Sequence, residues 1–457
     1  MTMLTPSRAF AGSSGLVDDT LALSLAPALT PQGLDPRPSF FHGFVTRPQV
    51  LARGLLSLAD ITATNYVTFT PSHLRDPVLT AHGDRLRAEC FSACNGVYAR
   101  LDLLGEGLDG GDIHHGTTNV DINLATRAAL ARVGRSQLLH VDVGYEGLRL
   151  SSPERTSAER SVAMPDRWVR ALGNVTALHR GLPRAFSLGA AQARQLLASL
   201  PASSSRSQDG WLVPATGGAR LLPRSSSGGV RIAGLHRLSA LRRLMTLVTG
   251  LTAYGAAEPG PAVLELELPA ARFTVGLTDD AWRGHSGEGS LLHALADGQS
   301  ALEADLVLAE LAFEPVIDVG SLSRASGLPP ARVERALAVL GASGRAGWDL
   351  SGESWYHREL PHDPSRVDKD NPRLVRARAL VEASALTPVS RGEWRVRGSR
   401  GVDHVVTTDH LDGPACTCAW YLKHGRGRGP CAHVLAVQIV GGSAGSAPSG
   451  PAQQENP

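Results

Sequence analysis

The stretch Cys416-x-Cys418, followed after twelve residues by Cys431-x-His433, decides the fold of the C-terminal part of this chain. Its four ligand-type side chains lie within eighteen residues of a chain of 457 that has only five cysteines. Three thiolates and one imidazole form a complete tetrahedral ligand set for zinc. Because the protein supplies all four ligands, no position is left for water or substrate. The stretch therefore predicts one structural Zn²⁺ ion and not a catalytic one.

The residues around these ligands predict a small ββα arrangement. Residues 393–396 and 404–407 alternate as two short strands on either side of the glycine-containing turn 398–401, which is a hairpin pattern. An apolar run follows Pro430, and proline is favoured at the start of a helix. The order of these elements is therefore hairpin first and helix last.

The spacing of the ligands fits those elements. In an extended segment, residues i and i+2 face the same side, so the thiolates of Cys416 and Cys418 can face one ion. Residues i and i+2 lie on different faces in the middle of a helix. Cys431 and His433 are therefore expected to bind from the first helical turn. His424 is the alternative fourth ligand, but its place in a glycine-rich loop favours solvent contact.

A longer motif surrounds the ligands: Val396-x-Gly398-Ser399-x-Gly401, then Cys416-x-Cys418-x-Trp420, then Pro430-Cys431-x-His433-Val434-Leu435-Ala436. This motif resembles that of SWIM-type zinc fingers, a family named after bacterial proteins, Swi-Snf-type helicases and plant mutator transposases. The resemblance covers roughly residues 386–440 and implies that Cys416, Cys418, Cys431 and His433 hold zinc. One departure is His404, where the strand of the family usually carries an aromatic residue, often tyrosine.

The predicted finger carries excess positive charge. Seven cations and four carboxylates give residues 386–440 a net charge of +3. Cations beside Trp420 and Tyr421 can contact phosphates while the aromatic rings stack on bases. The alternative is a solvated loop, with the aromatic rings packed over the zinc. The candidate contacts to nucleic acid or to a protein partner are Lys423, Arg426, Arg428, Arg397 and Arg400.

Composition sets further bounds on the whole chain. A length of 457 residues predicts several domains, and the net charge of +2 points to neither nucleic acid nor membrane. Three of the five cysteines belong to the predicted finger, so a disulfide framework is not expected and a reducing, cytoplasmic location fits. No apolar run reaches the length of a membrane-spanning helix. We therefore predict neither a membrane partner nor a small-molecule ligand.

The fold class predicted is multidomain α+β, with a mixed β/helical N-terminal region, a winged-helix-like middle domain and a small C-terminal ββα-type zinc finger. Helices are predicted at 49–60, 167–178, 190–200 and 236–249, and strands at 78–80, 85–89, 96–103 and 119–123. The predicted parts are a poorly ordered tail at 1–38, a mixed α+β domain at 39–200, a second α+β region at 209–300, the winged-helix-like domain at 301–360, a connector and helix at 361–385, the SWIM-type finger at 386–440 and a disordered tail at 441–457.

The winged-helix interpretation depends on the order of elements between residues 322 and 360. Two helical patterns, 322–328 and 329–340, precede a hairpin pattern around Ser351-Gly352. The net charge of residues 313–360 is −1, which disfavours binding driven by phosphate contacts. A winged helix used for protein packing is the alternative to one that binds DNA.

The sequence thus predicts a zinc-binding interaction module for protein partners and/or nucleic acid. The alternative is an enzyme of unknown reaction with its active site near Asp112–Asn123 in the N-terminal region. This segment is dense in polar groups, and His114, His115 and Asp121 could serve as an acid/base pair or as metal ligands. A loop capped by threonine and asparagine side chains explains the same residues without chemistry.

Overall fold

The computed structural model divides the chain into two compact units. The N-terminal unit comprises residues 1–287, 311–318 and 341–362, and the C-terminal unit comprises residues 288–310, 319–340 and 363–457. The structure describes residues 39–68, 77–144, 146–153, 155–160, 164–204, 207–285, 289, 292–296, 298–311, 314–358, 360, 371–398, 401–409, 413–425 and 428–444, and the backbone of the short segments 15–17, 20–22, 28–30 and 33–35. The predicted tails at 1–38 and 441–457 and the predicted connector at 361–385 therefore lie partly outside the described residues.

The N-terminal unit contains several antiparallel sheets. Its strands are β1 Gly15–Val17, β2 Thr20–Ala22, β3 Ala28–Thr30, β4 Gly33–Asp35, β5 Ser39–Val45, β6 Val78–His82, β7 Arg85–Phe91, β8 Val97–Leu104, β9 Leu108–Ile113, β10 His115–Asn119, β11 His140–Gly144, β12 Gly147–Ser152, β13 Arg155–Arg160, β14 Met164–Pro165, β15 Arg184–Gly189, β16 Gly210–Ala215, β17 Gly218–Leu222, β18 Val230–Ile232, β19 Gly250–Tyr254, β20 Ala262–Leu268, β21 Ala271–Leu277, β22 Ala346–Asp349 and β23 Ser354–His357. Its helices are α1 Pro48–Ala63, α2 Leu124–Ala131, α3 Asp166–His179 and α4 Ala190–Ser199.

An eight-stranded sheet in the order β10-β6-β7-β8-β21-β20-β19-β15 forms the largest layer of this unit. Helix α1 packs on β7 and β8. The close approach depends on Gly54, since an added Cβ would lie 2.7 Å from Leu101 Cδ2. A five-stranded sheet in the order β13-β12-β11-β5-β9 contributes to the same apolar core. The core therefore lies between α1 and two sheets.

The hairpin β22–β23 belongs to the N-terminal unit and contributes to a group of buried charged side chains, here called the buried ion network. Asp349 accepts hydrogen bonds from Arg100 Nη2 at 3.1 Å and from Arg272 Nη2 at 2.8 Å. Arg358, one residue beyond the hairpin, donates from Nε to Glu89 Oε2 at 2.7 Å. Burial raises the pKa of the Glu89 carboxyl, but the Arg358 guanidinium outweighs this effect and holds that pKa well below its usual range.

The C-terminal unit contains one four-stranded antiparallel sheet and a set of helices. The sheet order is β24-β25-β26-β27, with strands β24 Leu386–Ser390, β25 Glu393–Arg397, β26 Asp403–Thr407 and β27 Ala415–Cys416. The helices are α5 Leu292–Leu295, α6 Gly298–Glu310, α7 Val319–Ser326, α8 Pro330–Ala342, α9 Pro372–Glu382, α10 Ala419–His424 and α11 Ala432–Ala444. Helix α9 packs against α11, and α6 packs against α7.

The predicted α+β class is confirmed, and most of the predicted helices and strands are present. Two predictions are wrong. The strand predicted at 119–123 ends at Asn119, because the Asn123 side chain accepts from the amides of Ala125 and Thr126 and caps α2. The helix predicted at 236–249 is a 3-10 helix over Leu235–Leu244, followed by β19.

The reason for the second error lies in the spacing of the apolar residues. Leu238, Leu241 and Leu244 are all buried and recur every three residues. A 3-10 helix has three residues per turn, so this spacing places all three side chains on one face. An α-helix would rotate them progressively away from the core, since it has 3.6 residues per turn.

Candidate metal centre

The four ligand-type residues lie at the ends of regular elements in the C-terminal unit. Cys416 ends β27, where it pairs with Val406 of β26. Cys418 is the N-cap of α10, and its Sγ accepts a hydrogen bond from the Tyr421 amide at 3.4 Å. Cys431 directly precedes α11, and His433 is the second residue of that helix. The expectation that the second pair acts from the first turn of a helix therefore agrees with the backbone.

The geometry of the cluster fits one tetrahedral ion. The ligand atoms of Cys416, Cys418, Cys431 and His433 all lie within 4.8 Å of one another. Cys416 Sγ lies 3.8 Å from His433 Nδ1. With Zn–S bonds of about 2.3 Å, two ligands of a tetrahedral ion lie roughly 3.8 Å apart. The three thiols are buried, so this group can hold a metal ion shielded from solvent.

Small apolar side chains surround the cluster. Val396 of β25, Val406 of β26 and Val434 of α11 are buried against the three cysteines. The His404 ring lies 4.5 Å from the His433 ring, centroid to centroid. His404 therefore packs against a ligand ring from the strand position where the SWIM family usually has an aromatic residue.

Shared protons link the four ligand-type side chains to one another. A hydrogen bond from Cys416 lowers the pKa of the Cys418 thiol, while the same contact raises the pKa of Cys416. Burial lowers the pKa of His433, but hydrogen bonds to Cys418 and Cys431 outweigh it and bring that pKa to about 9. Zinc binds thiolates and neutral imidazole, so its binding must displace protons from this cluster.

The predicted contact residues lie on different elements, and two of them lie outside the described residues. Lys423 is exposed in the last turn of α10, a helix that the sequence analysis did not predict. Arg428 is half-buried, and Arg397 is exposed on β25 with its Nε 3.2 Å from Asp403 Oδ1. Arg426 and Arg400 lie outside the described residues.

Two signals could have predicted α10. The Cys418 side chain caps its first turn, and cations occupy its last turn, where they interact favourably with the helix dipole. Gly425 follows the helix with φ of 53°, a conformation that favours glycine. The alternative ligand His424 ends this helix, with its ring 5.0 Å from the Trp420 ring, and it is not a member of the ligand cluster.

The segment Asp112–Asn123 serves mainly in pairing and capping. The backbone of Asp112 pairs with His42 of β5, and Thr117 of β10 donates to Thr80 Oγ1 at 3.3 Å. His114 is exposed and His115 is half-buried. Among the residues that the structure describes, Cys416, Cys418, Cys431 and His433 form the one group with metal-ligand proximity. The strand pairing and the Asn123 cap agree with the capped-segment interpretation, and the enzyme alternative stays a prediction.

Comparisons with known proteins assign no family. A comparison with protein families gives no match, and a comparison with curated proteins gives none either. Among solved structures, the chain is similar to Proliferating Cellular Nuclear Antigen from Entamoeba histolytica, with 12% identity, 53% of this chain and 99% of that chain covered, and a TM-score of 0.36. It is also similar to the PCNA2-PCNA3 complex from Sulfolobus tokodaii, with 9% identity, 52% and 98% covered, and a TM-score of 0.40. TM-scores this low do not assign a fold.

Within the ranges that the structure describes, no helix is both long enough and apolar enough to cross a bilayer.

Proposed function

We propose that the protein is a zinc-binding interaction module whose C-terminal unit contains a SWIM-type zinc finger. The observation that carries this proposal is the cluster of three cysteines and one histidine with all ligand atoms within 4.8 Å. A closed ligand set of this type stabilises a fold and leaves no open position for catalysis. One structural Zn²⁺ would hold β27, α10 and α11 together. All five cysteines are free, which agrees with a reducing cytoplasmic location.

The partners we propose are proteins, nucleic acid, or both. Helices α7 and α8 precede the hairpin β22–β23 along the chain, which is the order on which the winged-helix-like interpretation of residues 301–360 rests, but α7 belongs to the C-terminal unit and the hairpin to the N-terminal unit. The net charge of residues 313–360 is −1, and Asp349 of the hairpin is already paired with arginines of the eight-stranded sheet. Both facts support protein packing as the role of this region. Contacts with a partner are therefore expected at the zinc finger and at the residues around it.

Partner binding is expected to depend on zinc. In a pull-down from the native host, full-length protein should retain a specific partner that Cys431→Ser loses, because the serine removes a ligand and the surface that zinc organises. Nuclease treatment of the extract separates a direct protein partner from one held through nucleic acid. Cys94→Ser is the matched control, since Cys94 is a half-buried free thiol outside the cluster.

Equal retention by the wild type and Cys431→Ser would contradict a zinc-dependent module. Loss with both serine variants would also contradict it, because the effect would not be specific to the cluster. The triple variant Lys423→Ala, Arg426→Ala, Arg428→Ala tests the predicted loop contacts in a DNA-binding titration at several salt concentrations. If the loop binds duplex DNA, the slope of log K against log salt should fall in magnitude by about 2.7.

A further inference from the structure

A groove of about 900 Å³ lies beside the Cys3His cluster, within the C-terminal unit. Its lining comes from α9, from β24 and β25, and from the ligand segments at Cys418 and Cys431. A volume of this size is typical of a ligand site. The groove is therefore large enough to receive an extended chain next to the proposed zinc.

Four arginines line this groove and come from two opposing elements. Arg373 and Arg376 are three residues apart on α9, so they lie on the same side of the helix. Arg395 and Arg397 are two apart on β25, so they share one face of the strand. Val396 between them is fully buried, which anchors the other face of β25 in the core.

The four arginines differ in the hydrogen bonds and ion pairs that they already form within the protein. Arg373 donates to the carbonyl oxygens of Arg428 at 2.6 Å and Pro430 at 3.0 Å. Its guanidinium also lies 4.7 Å from the centre of the Trp420 ring. Arg373 therefore holds the segment before α11 against α9, and it is a structural residue of the groove.

The other three arginines are exposed, and they face a single carboxylate in the lining. Asp403 pairs with Arg397 at 3.2 Å. In the part of the chain that the structure describes, neither Arg376 nor Arg395 forms an ion pair. Like charges that converge on a concave surface produce a positive potential that attracts an anion. Guanidinium groups match phosphate oxygens in a bidentate geometry.

The rest of the lining favours a phosphate backbone over a protein. Ser384 and Thr387 add hydroxyl groups, which are common donors to phosphate oxygens. The apolar lining consists mostly of alanines, such as Ala379 and Ala383, which are poor anchors for a protein partner, together with Leu380 and the Trp420 ring. Walls on both sides suit one strand of nucleic acid better than a duplex.

We propose that this groove binds the phosphodiester backbone of single-stranded nucleic acid through Arg376, Arg395 and Arg397. This inference rests on the nucleic-acid branch of the proposed function. It moves the proposed contact from Lys423, Arg426 and Arg428 to the groove between α9 and β25. Arg376 and Arg395 have no ion-pair partner among the described residues, and Arg397 can exchange its pairing with Asp403 for a phosphate.

The test is a fluorescence anisotropy titration of labelled oligothymidylate with the full-length zinc-loaded protein at several salt concentrations. The variant Arg376→Gln/Arg395→Gln should weaken binding roughly 25-fold at about 0.1 M salt and reduce the slope of log K against log salt by about 1.4. The control Arg391→Gln/Lys423→Gln removes two exposed charges of the same unit outside the groove and should leave binding nearly unchanged. Arg376→Lys/Arg395→Lys should keep most of the affinity and the slope.

Several outcomes would overturn the groove assignment. If the control variant loses affinity and the groove variant keeps it, the loop is the contact and the wider proposed function stands. If wild type prefers duplex, or if poly-glutamate competes as well as the oligonucleotide, the ligand is not single-stranded nucleic acid. If the wild type binds no nucleic acid, the groove assignment is wrong. The proposed function is then tested separately by the pull-down, which asks whether a protein partner is retained by the wild type and lost by Cys431→Ser. Zinc content of each variant shows that the fold is intact.

Discussion

Replacing Cys431 with serine is expected to abolish zinc binding and unfold the segment from β24 to α11 while the N-terminal unit stays folded. The apolar core around the cluster is small, and it includes only a few fully buried side chains such as Val396 and Val406. Metal binding contributes about 10–16 kcal/mol in comparable fingers, so the core cannot replace it. The N-terminal unit has its own large core and should not depend on the metal.

Hydrogen exchange measured by mass spectrometry on the full chain locates this effect. Amides of β25, β26 and α11 should lose protection in Cys431→Ser, while amides of β7 and β8 keep theirs. Cys94→Ser should resemble wild type throughout. Loss of protection in both units together would contradict independent units, and unchanged protection at α11 would contradict a structural metal.

Replacing Arg358 with methionine is expected to destabilise the N-terminal unit by about 3–5 kcal/mol, because it leaves a buried carboxylate without its cation. Arg358 and Glu89 are both 1% exposed, and two hydrogen bonds join them at 2.7 and 2.8 Å. Tyr98 and Tyr356 also donate to Glu89, at 2.6 and 3.0 Å, but neither carries a compensating charge.

Hydrogen exchange of the β7 and β8 amides gives the free energy of opening of the N-terminal unit. The decrease in this free energy measures how far Arg358→Met destabilises the unit. The double variant Glu89→Gln/Arg358→Met should recover a large part of the loss, since it removes both charges. Arg149→Met is the matched control, because Arg149 is exposed on β12. A loss of stability under about 1 kcal/mol for Arg358→Met would mean that the Arg358–Glu89 ion pair contributes no more than a solvent-exposed ion pair, and it would contradict this prediction.

Sequence predicted the C-terminal elements well because they depend on neighbours along the chain. The hairpin β25–β26, the start of α11 at a Pro-Cys step and the proximity of Cys418 to His433 all follow from spacing within a few tens of residues. The sequence-based prediction omits helix α10, because it treats the capping residue Cys418 only as a ligand. One cysteine side chain here both caps a helix and belongs to the candidate metal site.

The buried ion network and the arginine groove could not be predicted in the same way. Glu89 and Arg358 are 269 residues apart in sequence, and each alone has the pattern of an ordinary surface charge. Arg376 and Arg395 come from a helix and a strand whose packing sets their separation. Such pairings depend on tertiary packing, which local periodicity does not encode.

The metal content of the full-length protein tests the central claim most directly. Protein purified without chelator and measured by native mass spectrometry should carry one zinc ion per chain, as should Cys94→Ser. Cys416→Ser and Cys431→Ser should carry none, and cobalt bound in place of zinc should give the absorption of a tetrahedral site with three thiolates and one imidazole. Wild-type protein without zinc, or zinc retained by Cys431→Ser, would contradict the account.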